Sequence, residues 1–247
     1  MTENQLQILI EVEKFVKEIF KKKLNPLFVF HNLKHTKQVV NAAREIAKHY
    51  QLNDEDQFVL LLAAWFHDTG YSAGLAEEHE KESIMLASNF LLQHTDIEIV
   101  RRVALCIQAT RPPQSPQNLV EKIMCDADLY HLGTNRFRRM NHRLKKEQQA
   151  YYLKDISKKE WSQCNIGFLE SHQYFTDYCR HKLGPLVQER IRNLQKKDER
   201  RYDRNSNAGE LNTELQPQES VLSHYPCQSQ AFLFKLSYLY IFNYGFR

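Results

Sequence analysis

The chain has 247 residues, of which 42% are hydrophobic, and only seven Gly and seven Pro, a composition that favours helices over a turn-rich β architecture. Its formal net charge of +4 is small for this length, so charge gives no overall indication of nucleic-acid binding. The amino terminus lacks a signal-peptide pattern, and five scattered cysteines without a C-x-x-C motif are typical of reduced thiols, so we expect a cytoplasmic protein.

The first helical patterns lie on either side of a break at Pro26. Apolar residues between Leu6 and Phe20 recur with helical spacing. Asn32 is a suitable N-cap for a second helix, which carries His35 on the same face as its apolar residues. We therefore expect His35 to point inward, either as a hydrogen-bonded core histidine or as a metal ligand.

A continuous apolar run, Phe58–Phe66, predicts a helix that is buried on most sides. His67 and Asp68 follow at its end, and Gly70 is a plausible stop for the helix. Burying an imidazole and a carboxylate without partners is costly. The pair is therefore expected either to be satisfied by its own contacts and nearby backbone or to hold a metal ion.

Three further helical patterns follow, and one of them carries two aspartates. An acidic segment that contains His79 opens a helix ending near Leu92, and a second helix covers Ile97–Ile107. The third runs through Asp126 and Asp128. These two residues are about 200° apart around a helix, so only one of them can face a common ion while the other makes a capping or surface contact.

The basic stretch Arg136–Lys146 is interpreted as a solvated helix face rather than a nucleic-acid surface. Helices are also expected over Tyr152–Leu169 and over His172–Leu194, the second broken at Gly184–Pro185.

The character of the sequence changes beyond Gln195, where a charge run leads into a polar stretch typical of a linker or of disorder. We therefore divide the chain into one domain over residues 1–195 and a poorly structured tail over residues 196–247. The apolar, aromatic segment Ala231–Tyr244 near the end is too short for a membrane span. It is a candidate for docking on the domain or for contact with a membrane surface or a protein partner.

The inward polar residues of three predicted helices form a candidate metal site. His35, the pair His67-Asp68 and one of the two later aspartates together supply two imidazole nitrogens and two carboxylates. That donor set suits Mn, Fe, Co or Zn better than Mg, which prefers oxygen. A divalent metal at such a site can activate a water molecule and polarise a phosphoryl oxygen, which suits phosphoester hydrolysis.

The order H…HD…D, closed by Ala127-Asp128-Leu129, resembles the HD-domain superfamily of metal-dependent phosphohydrolases. The resemblance implies an all-α, HD-domain-like helical bundle. It also implies that the metal ligands are His35, His67, Asp68 and Asp128, with Asp68 also counted as catalytic, and it selects Asp128 over Asp126.

The element His31-Asn32-x-x-His35 resembles that of the cyclic-nucleotide phosphodiesterases of the same superfamily. This resemblance implies that His31 is the general acid for the leaving oxygen, a role that suits an imidazole. The alternative is that His31 merely caps the following helix. His79 matches a position that many HD proteins use near the metal or phosphate, and Lys34 and Arg111 are candidate phosphate contacts. The region near Arg111 lacks extra histidines, which favours a single ion.

We therefore expect an enzyme, a metal-dependent phosphohydrolase or phosphodiesterase whose partner is a small-molecule phosphoester such as a nucleotide. The first alternative is an HD-type nucleotide-sensing or regulatory module with little catalytic activity. The second is a helical protein that binds nucleic acid through residues 136–146.

Overall fold

The computed structural model describes residues 1–74 and 76–209, with side chains described up to residue 200, and within these residues all regular structure is helical. The described part contains nine α-helices: α1 (Glu3–Lys23), α2 (Leu33–Tyr50), α3 (Asp54–Phe66), α4 (His79–Leu91), α5 (Ile97–Ala109), α6 (Leu119–Asp128), α7 (Phe137–Tyr151), α8 (Lys158–Ser171) and α9 (Asp177–Gly209). Short 3₁₀ helices follow α3 and α6, at Thr69–Ala73 and Leu129–Gly133. The predicted all-α fold class is confirmed.

Side-chain caps fix where the site-bearing helices begin. The side-chain oxygen of Asn32 accepts hydrogen bonds from the backbone N–H groups of Lys34 and His35, at 2.9 and 3.4 Å. Asn53 and Asn118 cap α3 and α6 in the same way. Because the first N–H groups of a helix have no partner within it, these caps stabilise the helix starts. The cap at Asn32 therefore sets His35 in the first turn of α2.

Helix α3 is the central element of the core. All nine residues of Phe58–Phe66 are buried, and α3 contacts α1, α2, α4, α5 and α6. A helix that is apolar on every face requires neighbours on every side, and burial of this much apolar surface stabilises the packing. The end of α3 is therefore held firmly inside the bundle, with His67 and Asp68 immediately after it.

The described chain divides into two compact units. The first comprises residues 1–155 and 173–185, with α1 to α7 and the beginning of α9. The second, within the described residues, comprises residues 156–172 and 186–209, with α8 and the remainder of α9. The predicted domain boundary at residue 195 lies inside α9 and stays a prediction.

Helix α9 is longer than the sequence predicted. The expected break at Gly184–Pro185 is wrong, because α9 continues through Pro185 and includes the charge run that follows Gln195. Leu183, Val187 and Ile191 are all buried, so one apolar face continues past the proline and outweighs the loss of one backbone hydrogen bond. Residues 210–247, including the segment Ala231–Tyr244, lie outside the described residues.

The helix predicted over Tyr152–Leu169 begins later in the structure. Helix α7 ends at Tyr151, Leu153 has a left-handed φ of 49°, and Ser157 caps α8 through a capping box with Glu160. The prediction followed the apolar pattern, whereas in the structure the start of α8 is set by its polar cap at Ser157. Among the described helices none has the length and apolar character that crossing a membrane requires.

Candidate metal centre

Three helix ends in the first unit bring the candidate ligands together. His35 lies in the first turn of α2, His67 and Asp68 follow the last residue of α3, and Asp128 is the last residue of α6. Helices α2, α3 and α6 contact one another in pairs. Helix ends allow side chains to converge without interrupting the apolar packing between the helix bodies.

The four side chains converge, and one oxygen of each aspartate lies within 3.6 Å of both histidine nitrogens. The Nε2 atom of His35 lies 3.1 Å from Oδ1 of Asp128 and 3.4 Å from Oδ2 of Asp68. The Nε2 atom of His67 lies 3.3 Å from the same Asp68 oxygen and 3.6 Å from the same Asp128 oxygen. Ligand atoms of His35, His67 and Asp128 all lie within 4.8 Å of one another, which is close enough for one ion to contact all three.

Two atoms of this cluster lack the partners that burial requires. Nδ1 of His67 lies 3.0 Å from the carbonyl oxygen of Ala64, which can only accept, so Nδ1 donates and Nε2 faces the cluster. That Nε2 and Oδ2 of Asp68 are buried without a hydrogen-bond partner among the described residues. Such groups are costly to bury alone. A divalent cation would satisfy both atoms, and a histidine whose other nitrogen donates to a carbonyl is typical of metal ligands.

The electrostatics of the cluster also suit a cation. Burial alone would lower the pKa of His67, but the carboxylates of Asp68 and Asp128 raise that pKa well above its ordinary value. Burial would raise the pKa of both carboxyls, and the neighbouring imidazoles instead hold each of these pKa values well below its usual range. The two carboxylates therefore remain ionised, and a divalent cation can replace the protons that balance their charge.

His31 lies beside the cluster and is held by a buried carboxylate. Its Nδ1 pairs with Oε1 of Glu147, a residue of α7 that is only 2% exposed. The other oxygen of Glu147 accepts from the backbone N–H groups of Phe30 and His31, at 2.7 and 3.1 Å. Burial alone would lower the pKa of His31, but the Glu147 carboxylate raises it above its ordinary value.

Glu147 was not predicted as a site residue from the sequence. One signal was present, because Glu147 is an acidic residue directly after the basic stretch 136–146. Its partner lies more than a hundred residues away along the chain, however, and no periodic pattern indicates such a pairing.

An aromatic stack joins His31 to His79. The ring of Tyr71 is nearly parallel to that of His31, with 4.2 Å between centroids, and its centroid lies 4.3 Å from that of His79, while the two histidine centroids are 6.2 Å apart. Nδ1 of His79 lies 2.9 Å from the carbonyl oxygen of Ala76, and its Nε2 lies 3.7 Å from Oδ1 of Asp68. The buried Tyr71 therefore packs against both imidazoles, and His79 borders the cluster.

The other two candidate substrate contacts are not brought to the cluster by any contact described. Lys34 and Arg111 are both exposed, and among the described residues neither side chain has a hydrogen bond or ion pair. The backbone N–H of Arg111 donates to the carbonyl of Gln108, in the turn after α5. Phosphate binding by Lys34 and Arg111 stays a prediction.

Asp126 and Asp128 lie in different surroundings. Asp126 is fully buried and accepts hydrogen bonds from the backbone N–H groups of Phe175 and Thr176, both at 2.8 Å, and from the Thr176 hydroxyl at 2.5 Å. Asp126 thus secures the segment that leads into α9, whereas Asp128 faces the two histidines. The helical separation of the two residues accounts for this division.

A cavity of about 220 Å³ borders the cluster on one side. His35 and Asp128 form part of its wall. The remaining lining residues come from α2 and from the segment around the second 3₁₀ helix: Gln38, Val39, Glu45, Ala127, Tyr130, His131, Thr134, Asn135 and Arg136. None of these residues was assigned to the site from the sequence, because residues of α2 and of the segment after α6 become neighbours only in the folded chain.

One comparison with known proteins gave a match. Residues 32–133 match the family model described as the HD domain. The matched region begins at the cap of α2 and ends with the 3₁₀ helix after α6, so it contains all four residues of the cluster. No curated protein and no solved structure matches the chain significantly.

Proposed function

Residues 32–133 are an HD domain, and from this premise we propose that the protein is a metal-dependent phosphohydrolase acting on a nucleotide or a related phosphate ester. HD domains are generally metal-dependent hydrolases. The observation that supports the proposal best is the convergence of His35, His67, Asp68 and Asp128 around a point where buried ligand atoms lack partners.

The residues that would hold the ion are His35, His67, Asp68 and Asp128. Two imidazole nitrogens and two carboxylates favour Mn, Fe, Co or Zn over Mg. When bound, such an ion activates water and polarises the phosphoryl oxygen. These four residues would bind the ion from the protein side and leave it accessible to water and substrate.

The proposed general acid is His31. Its Nδ1 is engaged by Glu147, so the proton for the leaving oxygen would come from Nε2. The Glu147 carboxylate favours the protonated imidazole and fixes its orientation, while Tyr71 holds the ring from one face. A general acid must carry its proton at the working pH, and the raised pKa of His31 favours the protonated imidazole.

The proposal is tested by metal content and turnover together. The purified protein is stripped with a chelator, reloaded with Mn, Fe, Co, Zn or Mg, and assayed against linear and cyclic nucleotides and bis(4-nitrophenyl) phosphate. We expect turnover that depends on the ion and falls at least about a hundredfold in His67→Ala and Asp68→Ala. The control is His142→Ala, which removes an exposed histidine of α7.

Two outcomes would count against this function. Turnover that persists in both variants would place the chemistry elsewhere. Nucleotide binding without turnover under any ion would favour the alternative, an HD-type sensing or regulatory module. The cytoplasmic location and the contacts of the tail stay predictions.

A further inference from the structure

The cavity beside the cluster contains polar groups that have no hydrogen-bond or ion-pair partner among the described residues. Oε1 of Gln38 is buried and has no hydrogen-bond partner in the part of the chain that the structure describes. The side chains of Asn135 and Arg136, both exposed, have no hydrogen bond or ion pair within the described ranges 1–74 and 76–200. A buried acceptor without a partner favours a ligand that donates a hydrogen bond, and the exposed Arg136 is available to an anionic group of the same ligand.

Gln38 lies close to the cluster, so a ligand that reaches Gln38 would also lie close to it. Gln38 follows His35 by three residues on α2, so the two side chains are neighbours on one helix face. Asp128, the last residue of α6, also borders the cavity. A group that reaches Gln38 is therefore close to any phosphate held at the cluster.

The size of the cavity limits what it can hold. Its volume of about 220 Å³ is below the roughly 300–1,000 Å³ of pockets that enclose a whole drug-sized ligand. It suits one ring system of a small substrate whose phosphate remains outside, at the cluster. Arg136 and Asn135 are exposed and lie where the cavity meets the surface.

We propose that this cavity is a nucleoside subsite, in which Gln38 accepts a hydrogen bond from an N–H or O–H donor of the nucleoside and Arg136 contacts phosphate oxygens. The inference rests on the proposed phosphohydrolase function and deepens it, because it assigns substrate selection to Gln38 and Arg136. The donor is either an amino group of the base or a hydroxyl of the sugar, since both present the same chemistry to the amide oxygen.

The test of Gln38 is a specificity ratio. Gln38→Met removes the acceptor at similar volume, and kcat/KM is measured for a nucleotide and for bis(4-nitrophenyl) phosphate, which lacks a nucleoside. We expect the nucleotide-to-nitrophenyl ratio to fall about 3- to 10-fold, as loss of one hydrogen bond predicts. AMP against purine riboside 5′-monophosphate tests the base amino group, and AMP against 2′-deoxy-AMP tests the sugar hydroxyl. An effect confined to either comparison identifies the donor and supports the subsite.

Arg136, the N-cap of α7, is tested with a matched control in the first turn of that helix. Arg136→Met should raise KM for the nucleotide about 3- to 10-fold at low salt and weaken the dependence of KM on salt. Arg138→Met removes an exposed cation of α7 that does not line the cavity and should leave KM unchanged.

The results that would overturn the subsite differ from those that would overturn the hydrolase function. If the wild type hydrolyses bis(4-nitrophenyl) phosphate with metal but Gln38→Met leaves the ratio unchanged for every nucleotide, the subsite is wrong and the hydrolase stands. If no ion supports any turnover, the hydrolase proposal fails. The subsite is then decided by calorimetric binding of AMP to the full chain, which Gln38→Met must weaken about 3- to 10-fold for the assignment to hold.

Discussion

Two carboxylates in α6, two residues apart, have different tasks in this protein. Asp126 accepts three hydrogen bonds from the segment before α9, and Asp128 faces the histidines of the cluster. The same residue type therefore serves the fold at one position and the candidate site at the other. At Asp126 every contact is structural, whereas at Asp128 the contacts are those of a candidate ligand.

Separate substitutions should distinguish the two aspartates. Asp126→Asn presents an amide to backbone donors and should lower the free energy of unfolding by about 2–4 kcal/mol while leaving the metal content unchanged. Asp128→Asn should abolish metal binding with a smaller effect on the stability of the metal-free protein. Denaturant unfolding and elemental analysis measure the two effects. Loss of metal in Asp126→Asn alone would reverse the assignment.

The pair formed by His31 and Glu147 predicts a specific pH dependence. The carboxylate raises the pKa of His31, so the acid form persists to higher pH and activity should fall as pH rises through that pKa. Glu147→Gln removes the charge, lowers the pKa of His31 and should move the alkaline limb of the kcat profile to lower pH. We expect kcat to fall about 10- to 100-fold at neutral pH.

A control separates this charge effect from a general loss of structure. Glu98→Gln removes an exposed carboxylate of α5 that pairs with Arg101, and its pH profile should match that of the wild type. A uniform loss of activity in Glu147→Gln, with no displacement of the limb, would contradict the role given to His31.

The turn after α3 depends on a close approach between Gly70 and the backbone carbonyl of His79. A Cβ added to Gly70 would lie 1.9 Å from the carbonyl oxygen of His79 and 2.8 Å from its carbonyl carbon. Both contacts are with backbone, which cannot rotate away. Gly70 is therefore required where the first 3₁₀ helix packs on the start of α4, and the sequence interpretation of Gly70 as a helix stop is wrong, since α3 already ends at Phe66.

Gly70→Ala should displace the start of α4 and lower the free energy of unfolding by about 1–3 kcal/mol. Metal affinity should fall as well, because Asp68 and His79 lie on either side of the displaced contact. Gly184→Ala is the matched control: a Cβ there meets nothing within 4 Å, and replacing a helical glycine should stabilise α9 by up to about 1 kcal/mol. Equal effects of the two substitutions on denaturant unfolding would contradict this account.

The helices of the first unit could be predicted from the sequence because their apolar periodicity and their caps indicate the same boundaries. Asn32 and the run Phe58–Phe66 are examples. The prediction failed where two local signals conflict, as at Pro185, because tertiary burial decides such cases and a single sequence does not reveal it.

The order of His35, His67-Asp68 and Asp128 indicated the cluster. Glu147, Tyr71 and Gln38 were missed because their relation to the site is purely spatial.

At the scale of the whole molecule, metal binding should contribute measurably to stability. An ion that binds the folded chain alone stabilises it by about 2.7 kcal/mol at a concentration one hundred times its Kd. We therefore expect Mn or Zn to raise the Tm of the metal-stripped protein by about 5–10 °C in calorimetry. The shift should disappear in Asp128→Asn, and an equal shift in that variant would show that the ion binds elsewhere.

The candidate ligands come from three helix ends that are distant along the chain, and this has a consequence for how the molecule unfolds. An ion bound to all of them closes two long loops at once, as a covalent cross-link would. Release of the ion should therefore precede or accompany separation of α2, α3 and α6, so chelation should accelerate unfolding more than it slows refolding. Fragments that end before α6 would lack one ligand and could not be rescued by added metal.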